Sequence, residues 1–369
     1  MKNNYQTLDD ILNEVSYIYN EKYYGINDIC KNSLIKNKNI KSPKDQFTIL
    51  LISDTSIGKS CFINWYFQKE IQSSINNNEI TFITAGKKDM TLPGKLTKEK
   101  YGISTDFSNS DMYLKTEVYE TDHRSSHVVL INVPNLSEES WNFEFNYDET
   151  LAGLSDLSDI IICFIDLSPK MLISTRLKSF LMRTEANNGE KNIFILSKDD
   201  NVKSLLDKNR IILSVSQKLS EFLKSKIDLF YLSKDNKIDD EISYITNKID
   251  LGCNSMVKNV ISYLQNDVYS VTVSGEEALL KMKKSKKKIF NDLILLVLFF
   301  VLCILSYTIK GIFRKWRTKI PMIIILSILL ISFFLLPKKS EQKQIEDFLE
   351  KRAKQIRLKI NHFNNILSK

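Results

Sequence analysis

The stretch that decides the fold is LLISDTSIGKSCFINWYF, residues 50–67. It nearly completes the phosphate-loop pattern G-x-x-x-x-G-K-[ST], with Gly58, Lys59 and Ser60 in place but Ser53 where the opening glycine belongs. An apolar run precedes the loop and a helical pattern follows it, the context in which backbone N–H groups at a helix N-terminus bind phosphate. The predicted loop comprises Ser53, Asp54, Thr55, Ser56, Ile57, Gly58, Lys59, Ser60 and Cys61.

Two residues of this loop have expected chemical roles. Lys59 would reach the β- and γ-phosphates of a nucleotide, and the Ser60 hydroxyl would bind Mg²⁺. Ser53 adds a Cβ that would cost about 1–2 kcal/mol if its φ is positive. Asp54 brings a carboxylate near the phosphates and would oppose binding unless it points to solvent. The sequence therefore predicts a site for GTP or ATP with Mg²⁺; the alternative is a decayed loop kept as structure.

A second motif would recognise the base. The pattern [NT]-K-x-D, whose carboxylate accepts hydrogen bonds from guanine, has two candidate matches, LSKDD at 196–200 and YLSKDN at 231–236. The first supplies the final carboxylate and follows the cleaner strand pattern. Lys198 and Asp200 are therefore predicted to contact the base, with Ser197 in place of the usual asparagine. The choice between guanine and adenine stays open.

A third motif concerns hydrolysis. The pattern D-x-x-G would place an aspartate on a magnesium-bound water and a glycine N–H on the γ-phosphate. The matching residues are Asn132, Val133, Pro134 and Asn135. Asn132 can accept a hydrogen bond from a metal-bound water through its amide oxygen, but it lacks the charge. We therefore expect Asn132 at the metal and slow or absent hydrolysis.

Short apolar runs separated by helical patterns predict an α/β fold with a parallel sheet. The strands are expected at 47–52, 127–132, 159–166, 192–197 and 229–232, and helical patterns replace them after residue 237. The chain then divides into an N-terminal helical segment (1–45), a P-loop domain (46–237), a helical, stalk-like region ending in a basic run (238–288), an apolar hairpin (289–337) and an amphipathic tail (338–369).

The apolar hairpin consists of 289–309 and 320–336, each of about the length that crosses a ~30 Å hydrocarbon core, the second at the short limit. A buried core hairpin is the alternative. The lysine-rich run 281–288 and the lysines at 338 and 339 predict that both flanks face the cytosol. The connecting residues are also basic, so a re-entrant hairpin stays open. The expected protein is an integral membrane protein with both termini in the cytosol; the sequence does not indicate the organelle.

The composition indicates which kinds of binding partner are expected. The 369 residues carry a formal charge of +8, which indicates mild attraction to anionic surfaces, and five cysteines without a C-x-x-C pair, which indicate free thiols. The lysine-rich run beside the hairpin favours an anionic lipid membrane over nucleic acid, and no nucleic-acid partner is expected. His123 and His127 lie in a turn-like stretch, and metal binding there is not expected. The apolar stripe of the tail suits either a membrane interface or packing against a partner helix.

The order of these motifs resembles that of the dynamin superfamily and, within it, of the EH-domain-containing (EHD-type) ATPases. The resemblance runs from about Ile11 to Val271. It rests on the helix ILNEVSYIYNEKYYGINDI, the loop string at 56–64, FITAGKKDMTLPG, DLSDIIICFIDL, LSKDD and the late helix NSMVKNVISYLQND. It implies a dynamin-type G domain in a membrane-remodelling NTPase that assembles on lipid as a homo-oligomer, with Ser56 as the catalytic loop serine near the bridging β–γ oxygen.

Several residues depart from this family. Beside Ser53 and the two asparagines of the third motif, the segment SSINNNEITF has Asn77 where a magnesium-binding threonine would align, although Thr81 or Thr84 could substitute. The apolar hairpin and the tail stand where EHD-type proteins carry an EH domain. That arrangement is more similar to the layout of atlastin-type fusion GTPases. The departures affect expected catalysis more than expected binding.

Three functions are consistent with these patterns. The first is a membrane-anchored, dynamin- or EHD-like NTPase that binds GTP or ATP with Mg²⁺, oligomerises and remodels its membrane with weak hydrolysis. The second is a catalytically degenerate pseudo-GTPase that acts as a membrane-tethered scaffold. The third is a membrane receptor whose decayed loop binds no nucleotide. Lipid-stimulated turnover separates the first from the second, and nucleotide affinity separates both from the third.

Overall fold

The structure is a computed structural model. It describes residues 2–31, 35, 40, 42–55, 58–71, 79–103, 110–121, 124–136, 146–166, 173–197, 205–225, 227–231, 240–309 and 339–367. The chain divides into two compact units, Met1–Leu12 with Asp45–Val257 and Asn13–Lys44 with Lys258–Lys369. The first unit contains a β-sheet, and the described residues of the second are largely helical.

The first unit is built on one mixed sheet. Its described strands are β1 (Phe47–Ser53), β2 (Ile80–Gly86), β3 (Met90–Pro93), β4 (Leu114–Glu120), β5 (Val128–Asn132), β6 (Ile160–Asp166), β7 (Asn192–Ser197) and β8 (Leu229–Tyr231). They lie in the order β3-β4-β2-β5-β1-β6-β7-β8. Neighbouring strands from β5 to β8 in this order run parallel, β2 and β4 are also parallel, and the β2–β5 and β3–β4 pairs are antiparallel.

Helices flank the sheet and form the second unit. The described α-helices are α1 (Lys2–Asn20), α2 (Ile26–Cys30), α3 (Lys59–Phe67), α4 (Gly94–Tyr101), α5 (Tyr147–Leu157), α6 (Thr175–Asn188), α7 (Leu205–Ser220), α8 (Asp240–Ile309), α9 (Lys339–Asp347) and α10 (Ala353–Leu367). Short 3₁₀ turns occupy Ser110–Tyr113 and Gly189–Lys191. A π-helical turn, Phe348–Arg352, joins α9 to α10.

The apolar core lies on both faces of the sheet. Successive residues of a strand point to opposite faces, and every residue of β1 is buried. Leu50 and Ile52 cluster with apolar side chains of α5, α6 and α7 on one face. Ile49 and Leu51 cluster with Phe62 of α3 and with the start of α8 on the other. The apolar run is therefore a strand covered on both sides, and the α/β fold class is confirmed.

The mixed sheet departs from the parallel sheet that the sequence predicts. The five expected strands are present as β1, β5, β6, β7 and β8, whereas β2, β3 and β4 had no strand prediction. Long apolar runs identify strands covered on both faces. β4 instead carries charges, and its buried Glu117 is paired with Lys115 at 2.7 Å. Because these polar residues interrupt the apolar run, the sequence pattern does not indicate a strand here.

The amphipathic tail packs within the helical unit. Gly275 of α8 approaches the tail so closely that an added Cβ would lie 3.3 Å from Ile345 Cγ2. Arg352 forms an ion pair with Glu21 of α1. Of the two alternatives for the tail, packing against partner helices is the one observed. Its buried stripe comprises Ile345, Phe348, Ala353, Ile356, Ile360 and Phe363.

The first apolar stretch continues α8 as helix to Ile309. Its exposed large side chains are Phe290, Leu293, Ile294, Leu295, Val297, Leu298 and Val301. Across the described residues, no helix has both the length and the apolar composition to cross a membrane. The second apolar stretch, 320–336, lies outside the described residues, so the hairpin stays a prediction.

Candidate nucleotide-binding site

The turn between β1 and α3 depends on a glycine at the start of the helix. Gly58 precedes α3 with φ +76°, a conformation that L side chains rarely adopt. A Cβ placed there would lie 2.6 Å from Phe164 Cδ1 and 3.1 Å from Ser197 Oγ. Gly58 therefore allows the loop backbone to approach β6 and β7 closely. The last residue of β7, Ser197, which takes the asparagine position of the predicted base motif, thus lies beside the loop.

Lys59 extends across the mouth of this turn. Its side chain is 7% exposed, and its Nζ donates to Asn135 Oδ1 at 2.8 Å and to Ser53 Oγ at 2.9 Å. The Ser53 hydroxyl in turn donates to the Thr55 carbonyl at 2.6 Å. A buried ammonium needs polar partners, and here neutral oxygens from the ends of two strands provide them.

Ser53 does not have the positive φ that would have made its Cβ unfavourable. Ser53 is the last residue of β1 and pairs with Phe164 of β6. Among the described residues, the non-glycine residues with positive φ are Tyr23 and Gln68. Ser53 therefore keeps ordinary strand geometry. What the serine adds at this position is a hydroxyl that contacts Lys59.

Asp54 faces another part of the fold. Its carboxylate accepts a hydrogen bond from the Ser174 N–H at 2.8 Å and another from the Ser174 hydroxyl. Ser174 caps α6 by accepting from Leu177 N at 3.0 Å. Burial raises the pKa of the Asp54 carboxyl, and the bonds from Ser174 oppose that rise. Asp54 thus ties the loop to the start of α6 instead of pointing to open solvent.

The remaining predicted loop and base residues are placed as follows. Ser60 is half-buried in the first turn of α3, whereas Thr55 and Cys61 are exposed. The predicted residues outside the described part of the chain are Ser56, Ile57, Lys198 and Asp200. The structure thus brings Ser53, Gly58 and Lys59 together.

Two buried oxygens lie side by side at the end of β5. Asn132 is 6% exposed, and Thr81 of β2 is fully buried. The two residues are cross-strand partners, so their side chains share a face of the sheet. Neither Asn132 Oδ1 nor Thr81 Oγ1 has a hydrogen-bond partner among the described residues. Unpaired buried acceptors of this kind suit Mg²⁺ or a water that it holds.

These oxygens fit magnesium better than a metal that prefers nitrogen or sulfur. Within the described residues, no group of three or more His, Cys, Asp or Glu could hold a metal ion. His127 has a ring nitrogen, Nδ1, 2.8 Å from the Asp45 carbonyl oxygen. Asn132 and Ser60 are the predicted metal residues, and Thr81 is the cross-strand partner of Asn132. All three offer neutral oxygens, so phosphate would have to balance the charge of the ion.

Sequence reasoning missed the contacts made across the fold. Asn135 was expected as a departure from a glycine, not as a partner of Lys59, and Ser174 was not singled out at all. Both lie more than seventy positions from their partners in the chain. No local pattern signals such contacts, because they depend on how the loops pack.

No protein-family model matches the chain, and comparison with curated proteins found no match. Solved structures do match it. One is from an oligomerised bacterial dynamin pair that provides a mechanism for long-range sensing and tethering of membranes. It is 13% identical, covers 99% of this chain and 62% of that chain, and has a TM-score of 0.44.

Two further structures are similar over less of this chain. LeoA, a bacterial dynamin GTPase from ETEC, is 12% identical, covers 78% of this chain and 48% of that chain, and has a TM-score of 0.36. Era of Aquifex aeolicus bound to GDP.AlF4- is 14% identical, covers 54% of this chain and 56% of that chain, and has a TM-score of 0.32. The chain thus spans 62% of the length of the first of these structures, and its structural neighbours include bacterial dynamin-like GTPases.

Proposed function

We propose that this chain is a membrane-anchored, dynamin-like protein that binds a purine triphosphate, GTP or ATP, with Mg²⁺. The observation that carries the proposal is the turn at Gly58, with Lys59 at the start of α3 directly behind it. A backbone of this shape at a helix N-terminus attracts phosphate, and the lysine adds a positive charge. Ser53 supports the lysine without backbone strain.

The metal would be held beside the phosphates by Ser60 and Asn132, with Thr81 adjacent. Bound Mg²⁺ bridges phosphate oxygens and neutralises their charge. Asn132 Oδ1 and Thr81 Oγ1 are acceptors ready for the ion or its water. Because Asn132 carries no charge, we propose weak hydrolysis, with Ser56 near the bridging β–γ oxygen.

Lys198 and Asp200 are proposed to contact the base. They follow Ser197, whose hydroxyl would lie 3.1 Å from a Cβ built on Gly58. Residues that leave β7 at this point start at the edge of the phosphate loop.

The membrane anchor is proposed to be a hairpin of 289–337. Lys286 Nζ donates to Gln342 Oε1 at 2.7 Å, so residues on the two sides of this segment contact each other. The exposed lysines of 281–288 surround the departing helix and suit anionic lipid. Both flanks would then face the cytosol. Self-assembly on lipid, membrane remodelling and the EHD-type assignment are part of the proposal and rest on the sequence resemblance.

A binding experiment tests the nucleotide site. Full-length protein in nanodiscs is titrated with fluorescent GTP and ATP, in Mg²⁺ and in EDTA. We expect saturable, Mg²⁺-dependent binding of at least one of them. Retention of neither nucleotide would overturn the proposal and favour a receptor with a decayed loop.

A separate extraction experiment tests the anchor. Membranes carrying the full chain are washed with alkaline carbonate, which removes peripheral proteins. We expect the chain to stay with the lipid. Its release into the wash would contradict an integral hairpin and leave the nucleotide proposal intact.

A second function is favoured by one observation, the amide side chains of Asn132 and Asn135 at the end of β5. A site of this kind can bind nucleotide without turning it over, as a membrane-tethered scaffold would. Single-turnover hydrolysis with anionic and with neutral liposomes distinguishes the two. Lipid-stimulated turnover supports the NTPase, and binding without turnover supports the scaffold.

A further inference from the structure

A groove lies on the surface of the first unit, between α5 and α6. Its volume is about 370 Å³, within the range of about 300–1,000 Å³ that is usual for small-molecule sites. An ion pair between Arg176 and Asp148, 3.2 Å from Nε to Oδ1, joins the two helices near their N-termini. Asn187 Nδ2 donates to Asp156 Oδ1 at 3.3 Å near their C-termini. The groove therefore lies along a stretch where the helices are bridged on either side.

The floor of the groove is apolar. Leu151 of α5 and Phe180 of α6 line it and are 1% and 7% exposed. Both side chains also belong to the core cluster on this face of the sheet. The ring of Phe180 is therefore held in place by packing. The part of it that reaches the groove can contact an apolar or aromatic group.

The wall that α6 contributes to the groove is basic. Arg176 and Arg183 both line it, and a spacing of seven residues places them on one side of the helix. The exposed residues Thr175 and Ser179 add hydroxyls to the same wall. Arg176 is paired with Asp148, whereas Arg183 is exposed and has no ion pair or hydrogen bond with any residue that the structure describes. Arg183 thus offers a guanidinium whose donors are open.

A guanidinium is suited to planar or oxygen-rich anions. Its N–H donors form a fork that matches two oxygens of a carboxylate or a phosphate. Arg183 can therefore bind an anionic head group while Leu151 and Phe180 contact an apolar body. Among the described residues that line this groove, none belongs to the phosphate loop or to the predicted metal residues. The groove is thus separate from the proposed nucleotide site.

We propose that the groove between α5 and α6 is a second ligand site, which takes a small organic anion with an aromatic or apolar body. Arg183 binds the head group, and the Ser179 hydroxyl, one helical turn earlier, donates to it. Phe180 packs against the body. Asp148 opposes binding, because its carboxylate occupies Arg176 and repels the anion. Carboxylates and phosphates share this chemistry.

Variants of the two charges should change the affinity in opposite directions. Arg183→Gln removes the charge and the fork and should lower the affinity for the anion about 10-fold or more. Arg183→Lys keeps the charge without the fork and should lower it about 3-fold. Asp148→Asn releases Arg176 and removes the competing charge, so it should raise the affinity about 3-fold. A gain of this kind is not expected from a structural defect.

Lys178→Gln is the matched control. It makes the same change of charge on the same helix, but the Lys178 ammonium lies 5.3 Å from the centre of the Phe222 ring, and Lys178 is not among the described residues that line the groove. The affinity of this variant should equal that of wild type. Thermal unfolding of every variant shows whether the fold is kept.

The measurement is a ligand-observed NMR titration of the full chain in nanodiscs, with empty nanodiscs as the blank and no nucleotide present. The probes are benzoate and phenyl phosphate, with benzamide as the uncharged counterpart and inorganic phosphate as the anion without a body. Tighter binding of at least one aromatic anion than of benzamide and inorganic phosphate, weakened in Arg183→Gln and strengthened in Asp148→Asn, supports the proposal. The head group that binds more tightly then identifies the class of ligand.

Binding of neither aromatic anion would overturn the proposal. So would affinities that Arg183→Gln leaves unchanged, since the probe would then be bound elsewhere, for example at the phosphate loop. Because the titration contains no nucleotide, its result does not depend on the proposed function.

Discussion

The ends of β1 and β5 lie next to each other in the sheet but differ in what they offer a nucleotide. The β1 end leads into a turn with a left-handed glycine and a buried lysine, which suits polyphosphate. The β5 end offers the amides of Asn132 and Asn135, without the carboxylate that a magnesium-bound water prefers. If the proposed function is correct, binding and hydrolysis would depend on the ends of different strands, so hydrolysis could weaken while binding is kept.

Blocking the turn at the β1 end should have the largest effect. Gly58→Ala should cost about 2–5 kcal/mol of folding free energy, because the backbone is left-handed and the new Cβ meets Phe164. Gly102→Ala is a matched control, since Gly102 has φ +62° but no atom within 4 Å of an added Cβ. It should cost about 1 kcal/mol. Urea unfolding of both variants measures the difference, and equal costs would show that contact with Phe164 is unimportant.

Removing the charge at the β1 end should abolish most nucleotide affinity. Lys59→Ala should lose about 1.5–3 kcal/mol of binding free energy, the contribution of a hydrogen bond to a charged group. Lys69→Ala is the control, because Lys69 forms a surface ion pair with Asp89 at 3.0 Å. Fluorescent-nucleotide titration should give wild-type affinity for the control. Undiminished affinity in Lys59→Ala would place the phosphates elsewhere.

Adding a negative charge at the β5 end should strengthen Mg²⁺ binding there. Asn132→Asp places a carboxylate beside the metal residues and should raise the Mg²⁺ affinity of the nucleotide complex about 10-fold. Asn64→Asp adds the same charge to α3, where its oxygen can still accept from Ile71 N, and should not do so. Mg²⁺ titration of the nucleotide-bound chain gives both values. An equal response in the two variants would remove Asn132 from the metal site.

The smallest effect concerns Asp54, which supports the β1 end. Burial raises its pKa, so the folded chain holds this proton more tightly than the unfolded chain does. Its stabilising contribution is present below the unfolded pKa and is lost as pH rises through the folded pKa. Asp54→Asn does not titrate, so it should gain stability relative to wild type as pH rises through that window. Denaturant unfolding at several acidic pH values measures the change.

Asp89 provides a control of opposite sign. The Glu120 N–H and the Lys69 ammonium lower the pKa of the Asp89 carboxyl. Its contribution is therefore present above the unfolded pKa and is lost as pH falls through the folded pKa. Asp89→Asn should therefore gain stability relative to wild type as the pH falls through that window. The same trend in both variants would contradict the assigned environment of Asp54.

Residues that act locally were predictable from the sequence. β1 is covered on both faces and reads as a continuous apolar run, and Gly58 and Lys59 belong to a short motif with a known shape. β4 was not predictable in this way, because it carries charged residues: Lys115 pairs with Glu117 of the same strand and with Glu79, the residue before β2. The tail was ambiguous for another reason. An apolar stripe has the same spacing whether lipid or a helix covers it. Only the close approach of Ile345 to Gly275 shows that a helix covers it here.

The bond between Lys286 and Gln342 has a practical consequence for anyone preparing a water-soluble version of this protein. Cutting the chain before the apolar segment would also discard α9 and α10, together with the packing of Ile345 on Gly275 of α8 and the ion pair between Arg352 and Glu21 of α1. Excising the segment and bridging its two neighbouring ends with a few polar residues would preserve that packing. The apolar hairpin 289–337 is thus an internal insertion in the sequence of the helical unit and not a C-terminal segment that can be removed by truncation.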